Sequence, residues 1–136
     1  MKVLIELLHS KGCSCVIRNG ELIREFYQRG IKDLYELYKV DSKFLNGASV
    51  ADKVIGRAAA ALLILGGVKR LYADTISQLA LDILSKSDME VSYSQAVPHI
   101  INRTQTAPCP LESATRDIES LEQIFVAIEE FVSSHT

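Results

Sequence analysis

Hydrophobic positions recur along this chain with the spacings of helices and of strands. Residues 2–9 carry an apolar stripe of helical period, which predicts a first helix. Residues 13–18 and 21–26 flank Asn19-Gly20, the pair preferred in a type I′ turn, and so predict an antiparallel hairpin. A stripe over residues 31–38 predicts a second helix, which could cover a pocket or shield the edge of the core.

The middle of the chain carries the clearest pattern of local signals. Ser49 followed by Asp52 matches the capping box of a helix start, so a buried helix is predicted from about Val50. The apolar residues of this helix recur at helical spacing and are Val54, Ala58, Ala61, Leu62 and Leu65. Gly66-Gly67 predicts its end, because glycine accepts the left-handed conformation of a helix stop.

The second half of the chain continues with alternating periods. Residues 68–73 predict a short strand, and Asp74-Thr75 predicts the cap of an amphipathic helix over residues 76–84. Residues 90–94 alternate between apolar and polar side chains, which predicts a further strand. One long final helix is predicted over residues 111–133, with a single apolar face.

This order of elements indicates an α/β protein. Helices that alternate with strands imply a three-layer α/β/α sandwich, in which the later strands are parallel. The mixed sheet would have about four strands and would begin with the antiparallel hairpin. We predict a single domain over residues 1–136, with binding sites at the carboxyl ends of the strands.

Composition narrows the possible functions. The chain has 136 residues, is 48% hydrophobic and carries a net charge of −2, so no extended nucleic-acid surface is expected. The apolar run at the start is short and interrupted by Glu6, which predicts neither a signal peptide nor a membrane span. Three cysteines argue against a disulfide framework. We therefore expect a cytoplasmic protein.

Three charged residues stand out in the predicted central helix. Asp52, Lys53 and Arg57 fall in its first two turns, where the other positions are apolar. Cations near a helix start oppose the helix dipole, so Lys53 and Arg57 suggest an anionic ligand or an acidic partner. Alternatively, both side chains extend to solvent or pair with Asp52.

The loop before the last helix holds a candidate nucleophile. Cys109 precedes Pro110, which favours the first helical position, so Cys109 is predicted at the N-cap with Glu112 reaching back to it. A thiol at a helix start can become a reactive thiolate, and Arg103 would add positive charge. Asn102 lies in the same loop of residues 95–112, and a loop of this length is often functional. A purely structural helix cap is the alternative for Cys109.

Three motifs carry a resemblance to a known family, and they are A-D-K-V-I-G-R-A-A-A at 51–60, I-I-N-R at 100–103 and C-P-L-E at 109–112. Together with the order of elements, they resemble a small prokaryotic family of uncharacterised domains with a cytidine deaminase-like fold. This resemblance places the Ala-rich helix where zinc deaminases carry their central zinc-site helix.

The resemblance fails at the zinc ligands. Zinc deaminases carry an H-x-E motif and a P-C-x-x-C motif. The corresponding stretches here are V-A-D-K-V at 50–54 and A-D-T-I-S at 73–77, and neither offers a thiolate or an imidazole. We therefore expect no metal site, no zinc-dependent deamination and no cofactor.

Two hypotheses follow from these patterns. The first is a non-zinc deaminase-like domain that binds a small anionic or nucleotide-like ligand, with Cys109 as a possible nucleophile. Its ligand-binding residues would be Asp52, Lys53, Arg57, Asn102, Arg103 and Glu112. The second is a catalytically silent binding or regulatory module in which this polar cluster is structural. A homodimer is compatible with either hypothesis.

Overall fold

A computed structural model describes residues 1–28, 31–100 and 109–134 of the chain. The helices are α1 Lys2–Ser10, α2 Lys32–Asp41, α3 Arg57–Gly66, α4 Gln78–Leu84, α5 Pro110–Thr115 and α6 Leu121–Ser134. The strands are β1 Cys15–Asn19, β2 Leu22–Phe26, β3 Ser49–Ile55, β4 Arg70–Ser77 and β5 Glu90–Val97. A short 3₁₀ turn, Ser42–Phe44, follows α2.

The strands form one mixed sheet in the order β2-β1-β3-β4-β5. The hairpin of β1 and β2 is antiparallel, as predicted, but its turn residues are Gly20 and Glu21, because Asn19 pairs with Leu22 in the ladder. β1 also pairs antiparallel with β3. β3, β4 and β5 are mutually parallel. The prediction of a mixed sheet with a hairpin is confirmed, but the sheet has five strands instead of about four.

The additional strand is β3, and the prediction of a helix from about Val50 was wrong. Val50 and Ala51 are fully buried at the centre of the sheet, where β3 pairs with β1 on one side and β4 on the other. Asp52 accepts a hydrogen bond from the Val54 N–H at 3.0 Å within the strand and caps no helix. Ladder bonds on both sides of β3 outweigh the local capping signal, because a buried strand must pair its backbone groups.

Two other helix boundaries differ from the predictions. β4 extends through Asp74 to Ser77, and the Ser77 hydroxyl caps α4 by accepting from the Ala80 N–H at 3.0 Å. The predicted single helix over 111–133 is divided into α5 and α6. The Thr115 hydroxyl bonds the Leu111 carbonyl at the end of α5, a contact that competes with helical hydrogen bonding.

Helices cover both faces of the sheet. On one face, Leu4 and Leu8 of α1 pack with Val16 of β1 and Ala51 of β3. The neighbouring strand positions, which point to the opposite face, join a larger core that includes the buried residues of α3, α4, α5 and α6. Among the described helices, none is long and apolar enough to cross a membrane.

Candidate functional site

An open cleft of about 1350 Å³ lies where the end of β3 meets the starts of α2, α3 and α5. Polar residues that line it include Ser14, Lys32, Asp33, Asp52, Lys53, Cys109 and Glu112. Apolar parts of its wall come from Phe26, Ile31, Ala58, Ile100, Leu111 and Phe131. A cleft with apolar walls and a few convergent polar groups has the character of a small-molecule site.

Asp52 and Cys15 form a hydrogen-bonded pair in the wall of this cleft. They face each other directly across the ladder between β1 and β3. Burial raises the pKa of Asp52 to about 7, and hydrogen bonds from the Val54 N–H and the Cys15 thiol oppose that rise. Burial, together with the Asp52 charge, raises the pKa of the Cys15 thiol well above its usual value. Cys15 is therefore a thiol donor to Asp52 and a poor nucleophile.

The start of α2 also contributes to the cleft. Ile31, Lys32 and Asp33 line it, and burial raises the pKa of the Asp33 carboxyl. The tyrosines further along α2 pack elsewhere: Tyr35 and Tyr38 contact the ring of Phe125 on α6. Both interpretations of this segment are therefore correct for different parts of it, since its start borders a pocket and its tyrosines shield the core.

Lys53 lines the cleft as an exposed cation. Its backbone N–H donates to the Ser14 carbonyl at 3.0 Å, which fixes the end of β3 against the start of β1. We expected Lys53 and Arg57 in the first two turns of one helix, but Lys53 lies in strand β3 and Arg57 is the first residue of α3. Their roles have to be considered separately.

Arg57 is the largest fully buried polar side chain and it points away from the cleft. Its guanidinium donates to the Leu79 carbonyl at 2.8 Å and to the Ile118 carbonyl at 2.8 and 3.3 Å. Glu119 lies 3.6 Å away, at the surface. The guanidinium thus connects α3, α4 and the segment before α6, and its donors are occupied by protein oxygen atoms. The predicted role of Arg57 in holding a ligand anion remains untested.

Glu112 is buried and caps a helix other than its own. One carboxylate oxygen accepts from the Arg57 N–H at 2.6 Å, at the start of α3, and the other accepts from the Ile100 N–H at 3.2 Å. We expected Glu112 to reach back to the start of α5. Instead it reaches α3 because Gly56 leaves room: a Cβ there would lie 2.6 Å from the Glu112 carboxylate. A negative group at this position also complements the helix dipole.

Cys109 is the N-cap of α5, and Pro110 follows it at the first helical position, as predicted. Its side chain makes no capping hydrogen bond, it is half-buried, and it lines the cleft. Cys13 and Cys15 are buried. Cys109 is therefore the most accessible of the three thiols, while its role as a nucleophile stays a prediction.

Asn102 and Arg103 lie outside the described residues, so their predicted contacts are untested. The two ends of their segment, Ile100 and Cys109, are joined by a hydrogen bond of 2.8 Å between the Cys109 N–H and the Ile100 carbonyl. Both ends line the cleft. The described residues on both sides of this segment therefore border the candidate site.

The sequence analysis missed Cys15 and Asp33 as residues of this site. Asp33 could have been suspected, because it begins the segment that was expected to border a pocket. Cys15 lies opposite Asp52 because of the register between β1 and β3, and no local sequence pattern predicts that register. Within residues 1–28, 31–100 and 109–134, no group of three or more His, Cys, Asp and Glu side chains has the arrangement of a metal site.

The chain matches one family model and is similar to a solved structure of that family. The family described as domain of unknown function DUF1893 matches residues 3–132. A solved structure of a DUF1893 family protein from Thermotoga maritima has a TM-score of 0.88 and 26% sequence identity, covering 95% of this chain and 87% of that chain. No curated protein matches.

Proposed function

This chain belongs to the DUF1893 family of domains of unknown function, and we propose that it is a non-zinc deaminase-like domain that binds a small nucleotide-like molecule. The observation that carries this proposal is the position of Asp52. It lies half-buried in the wall of the cleft, bonded by the Cys15 thiol, with its pKa raised to about 7 by burial. Perturbed carboxyl groups in clefts are concentrated at functional sites.

A carboxyl group with this pKa is suited to a heterocyclic ligand. Near neutral pH, Asp52 can donate a hydrogen bond when protonated and accept one when ionised. A nucleobase edge carries neighbouring donors and acceptors and so matches such a group. The exposed ammonium groups of Lys53 and Lys32 would then hold an anionic part of the same ligand, such as a phosphate.

Cys109 supplies the possible chemistry of this site. Its half-buried thiol lines the same cleft and makes no capping hydrogen bond to α5. In the catalytic form of the proposal, Cys109 is the nucleophile, and Asn102 and Arg103 keep the ligand-binding role that the sequence analysis predicts for them. The carboxyl groups that line the cleft, those of Asp33, Asp52 and Glu112, do not define a reaction class.

The deaminase-like fold is also part of the proposal. It is supported by a mixed sheet that begins with an antiparallel hairpin and by the position of the Ala-rich helix α3 before β4, although the order of elements behind the resemblance did not contain β3. An experimental structure whose sheet and flanking helices do not superpose on cytidine deaminases would overturn this part, without affecting the proposed cleft.

A second function is supported by a different observation. Arg57 and Glu112, two of the predicted ligand-binding residues, are buried and bonded to protein groups. This favours a catalytically silent binding or regulatory module, in which most of the polar cluster supports the fold. In that case the cleft would still bind a ligand, but Cys109 would be only a helix cap.

The test is a binding titration with AMP, CMP and inorganic phosphate, followed by calorimetry. We expect a nucleotide to bind, Asp52→Asn to weaken binding about tenfold or more, and Lys53→Ala to weaken it less. Lys43→Ala, a surface lysine outside the cleft, is the matched control. If no member of the panel binds, or if the Asp52 and Lys43 variants behave alike, the proposal fails.

Cys109→Ala separates the two functions. If the protein is catalytic, a bound nucleotide should protect Cys109 from alkylation. Any covalent adduct on Cys109, or any product that the wild-type protein forms from the nucleotide, should be absent with Cys109→Ala. Unchanged nucleotide binding by Cys109→Ala, together with no turnover by the wild-type protein, would favour the silent module. Native mass spectrometry that finds stoichiometric zinc would overturn the non-zinc proposal directly.

A further inference from the structure

The two edges of the sheet differ in length and in protection. At one edge, β2 is five residues long and carries two charged side chains. Arg24 pairs with Asp41 at 3.1 Å and stacks over the Phe44 ring at 4.2 Å, while Glu25 lies 3.5 Å from Lys11. Charges on an edge strand discourage pairing with another chain.

At the other edge, β5 is eight residues long and has little such protection. Glu90 is its only charged residue, and no proline, lysine or arginine occurs within it. It is exposed over most of its length, with 46% of Tyr93 accessible. In the sheet formed by the described residues, β5 pairs only with β4, and no described strand pairs with its outer side.

The identity of the outward-facing residues follows from one hydrogen bond. The Glu90 N–H donates to the Lys69 carbonyl at 3.0 Å, so Glu90 faces β4. The register with β4 is constant along the strand, so alternate residues keep facing β4. The remaining residues present their N–H and C=O groups to the outer edge, and they are Val91, Tyr93, Gln95 and Val97.

We propose that β5 is a dimerisation edge, at which two copies of this chain pair antiparallel and form one continuous sheet. A register centred on Ser94 pairs all four outward-facing residues. Val91 then lies opposite Val97 of the second copy, and Tyr93 lies opposite Gln95 of the second copy. Ser94 faces its own equivalent across the two-fold axis, in a position without hydrogen bonds between the two residues.

Charge supports a second copy as the occupant of this edge. In the proposed register, Glu90 lies opposite Pro98 of the second copy, so no two like charges meet along the seam. Glu90 is also neutralised within its own chain by Arg70, at 3.3 Å. An uncharged edge of this length fits an identical strand, because antiparallel pairing of two copies is self-complementary.

The first test measures mass in solution by light scattering and sedimentation, at about 10 to 200 μM of the full chain. We expect a dimer for the wild-type protein. The double variant Tyr93→Lys/Gln95→Lys places like charges opposite each other twice, so it should raise the dimer dissociation constant tenfold or more. Ile23→Lys, on the protected β2 edge, is the matched control and should leave the dimer intact.

The second test determines the register. Ser94→Cys, in a Cys109→Ala background, should form an intermolecular disulfide on mild oxidation, because facing residues of this kind lie about 4.5 Å apart at Cα. Ser92→Cys lies on the same face but opposite Ala96 of the second copy, so it should not cross-link efficiently. Circular dichroism checks that each variant is folded.

The outcomes are decisive in each case. A monomeric wild-type protein over the whole concentration range overturns the proposal. A dimer that survives the double lysine variant overturns it as well, since the contact must then lie elsewhere. Equal cross-linking at Ser92 and Ser94 overturns the proposed register, whereas cross-linking confined to Ser94→Cys together with loss of the dimer in the lysine variant supports the proposal.

Discussion

Two pairs of charged residues lie near the junction of β3 and α3, but in different environments. Arg57 and the Glu112 carboxylate are almost fully buried, and their polar groups are bonded to backbone atoms of other elements. Asp52 and Lys53 lie at the end of β3 and border open space in the cleft. The buried pair holds helices together, and the cleft pair is available to a ligand. Each prediction below tests this division of roles.

Removal of Arg57 should have the largest effect on stability. Arg57→Ala leaves the Leu79 and Ile118 carbonyls without their donor and leaves a cavity between α3 and α4, so we expect a loss of about 3–5 kcal/mol in the free energy of unfolding. Lys53→Ala should change it by less than about 0.5 kcal/mol. Urea denaturation measures both. Equal losses for the two variants would contradict the division.

Removal of the Glu112 carboxylate should have the next largest effect. Glu112→Ala leaves the Arg57 and Ile100 N–H groups unpaired at the start of α3, which should cost about 1–3 kcal/mol of unfolding free energy. Glu130→Ala, at an exposed position of α6, is the control.

Gly56→Ala tests the same contact from the other side. The added Cβ would lie 2.6 Å from the Glu112 carboxylate, so the carboxylate must move, at a cost of about 1–2 kcal/mol. In Gly56→Ala/Glu112→Ala the two losses should be less than additive, because both variants damage one interaction. Strict additivity in the thermal unfolding of the four proteins would show that Gly56 acts independently of Glu112.

Asp52 should make stability depend on pH. Its pKa is raised by burial from the ordinary value of 3.8 to about 7 in the folded protein, so the folded chain binds more protons than the unfolded chain between these pH values. The associated stability is fully present below about pH 4 and is lost as pH rises through about 7. The free energy of unfolding of Asp52→Asn, minus that of the wild-type protein, should therefore be about 1–3 kcal/mol larger at pH 8 than at pH 4.

The control for this pH dependence is Asp88→Asn, at an exposed position away from the cleft. Denaturation of both variants at pH 4, 6 and 8 measures the difference. If Asp52→Asn and the wild-type protein lose stability in parallel over this range, Asp52 does not carry the raised pKa. Other groups also act on this carboxyl: the Cys15 thiol and the Lys53 N–H bond to it, and the negative charge of Asp74 raises its pKa.

Cys109 should give the smallest effect on stability and the clearest effect on reactivity. Under native conditions, iodoacetamide should add once per chain, at Cys109, because Cys13 and Cys15 are buried. Cys109→Ala should stay within about 1 kcal/mol of the wild-type stability, since the thiol makes no capping bond. Peptide mass spectrometry locates the adduct, and modification of Cys13 or Cys15 at a comparable rate would contradict this assignment.

The sequence alone determined those features that depend on neighbouring residues. The hairpin was predicted correctly, although its turn residues are Gly20 and Glu21 because Asn19 pairs with Leu22; Gly20 accepts the positive φ of 61° that the turn requires. Cys109-Pro110 fixed the start of α5, since proline fits the first position of a helix and lacks the N–H that would be unpaired there. The resemblance indicated a family of uncharacterised domains, and the DUF1893 family is one of that kind, whereas the deaminase-like fold remains part of the proposal.

Tertiary structure alone decided those features that depend on partners distant in sequence. Ser49 and Asp52 carry a local helix-start signal, yet β3 is a strand because β1 and β4 pair with both of its sides. Glu112 does not cap its own helix. It caps α3 by accepting from the Arg57 N–H, which is 55 residues away along the chain. Arg57 and Asp52 therefore differ in role because they differ in burial. A charged group excluded from water must be hydrogen-bonded by the protein, and only the fold determines which atoms are its partners.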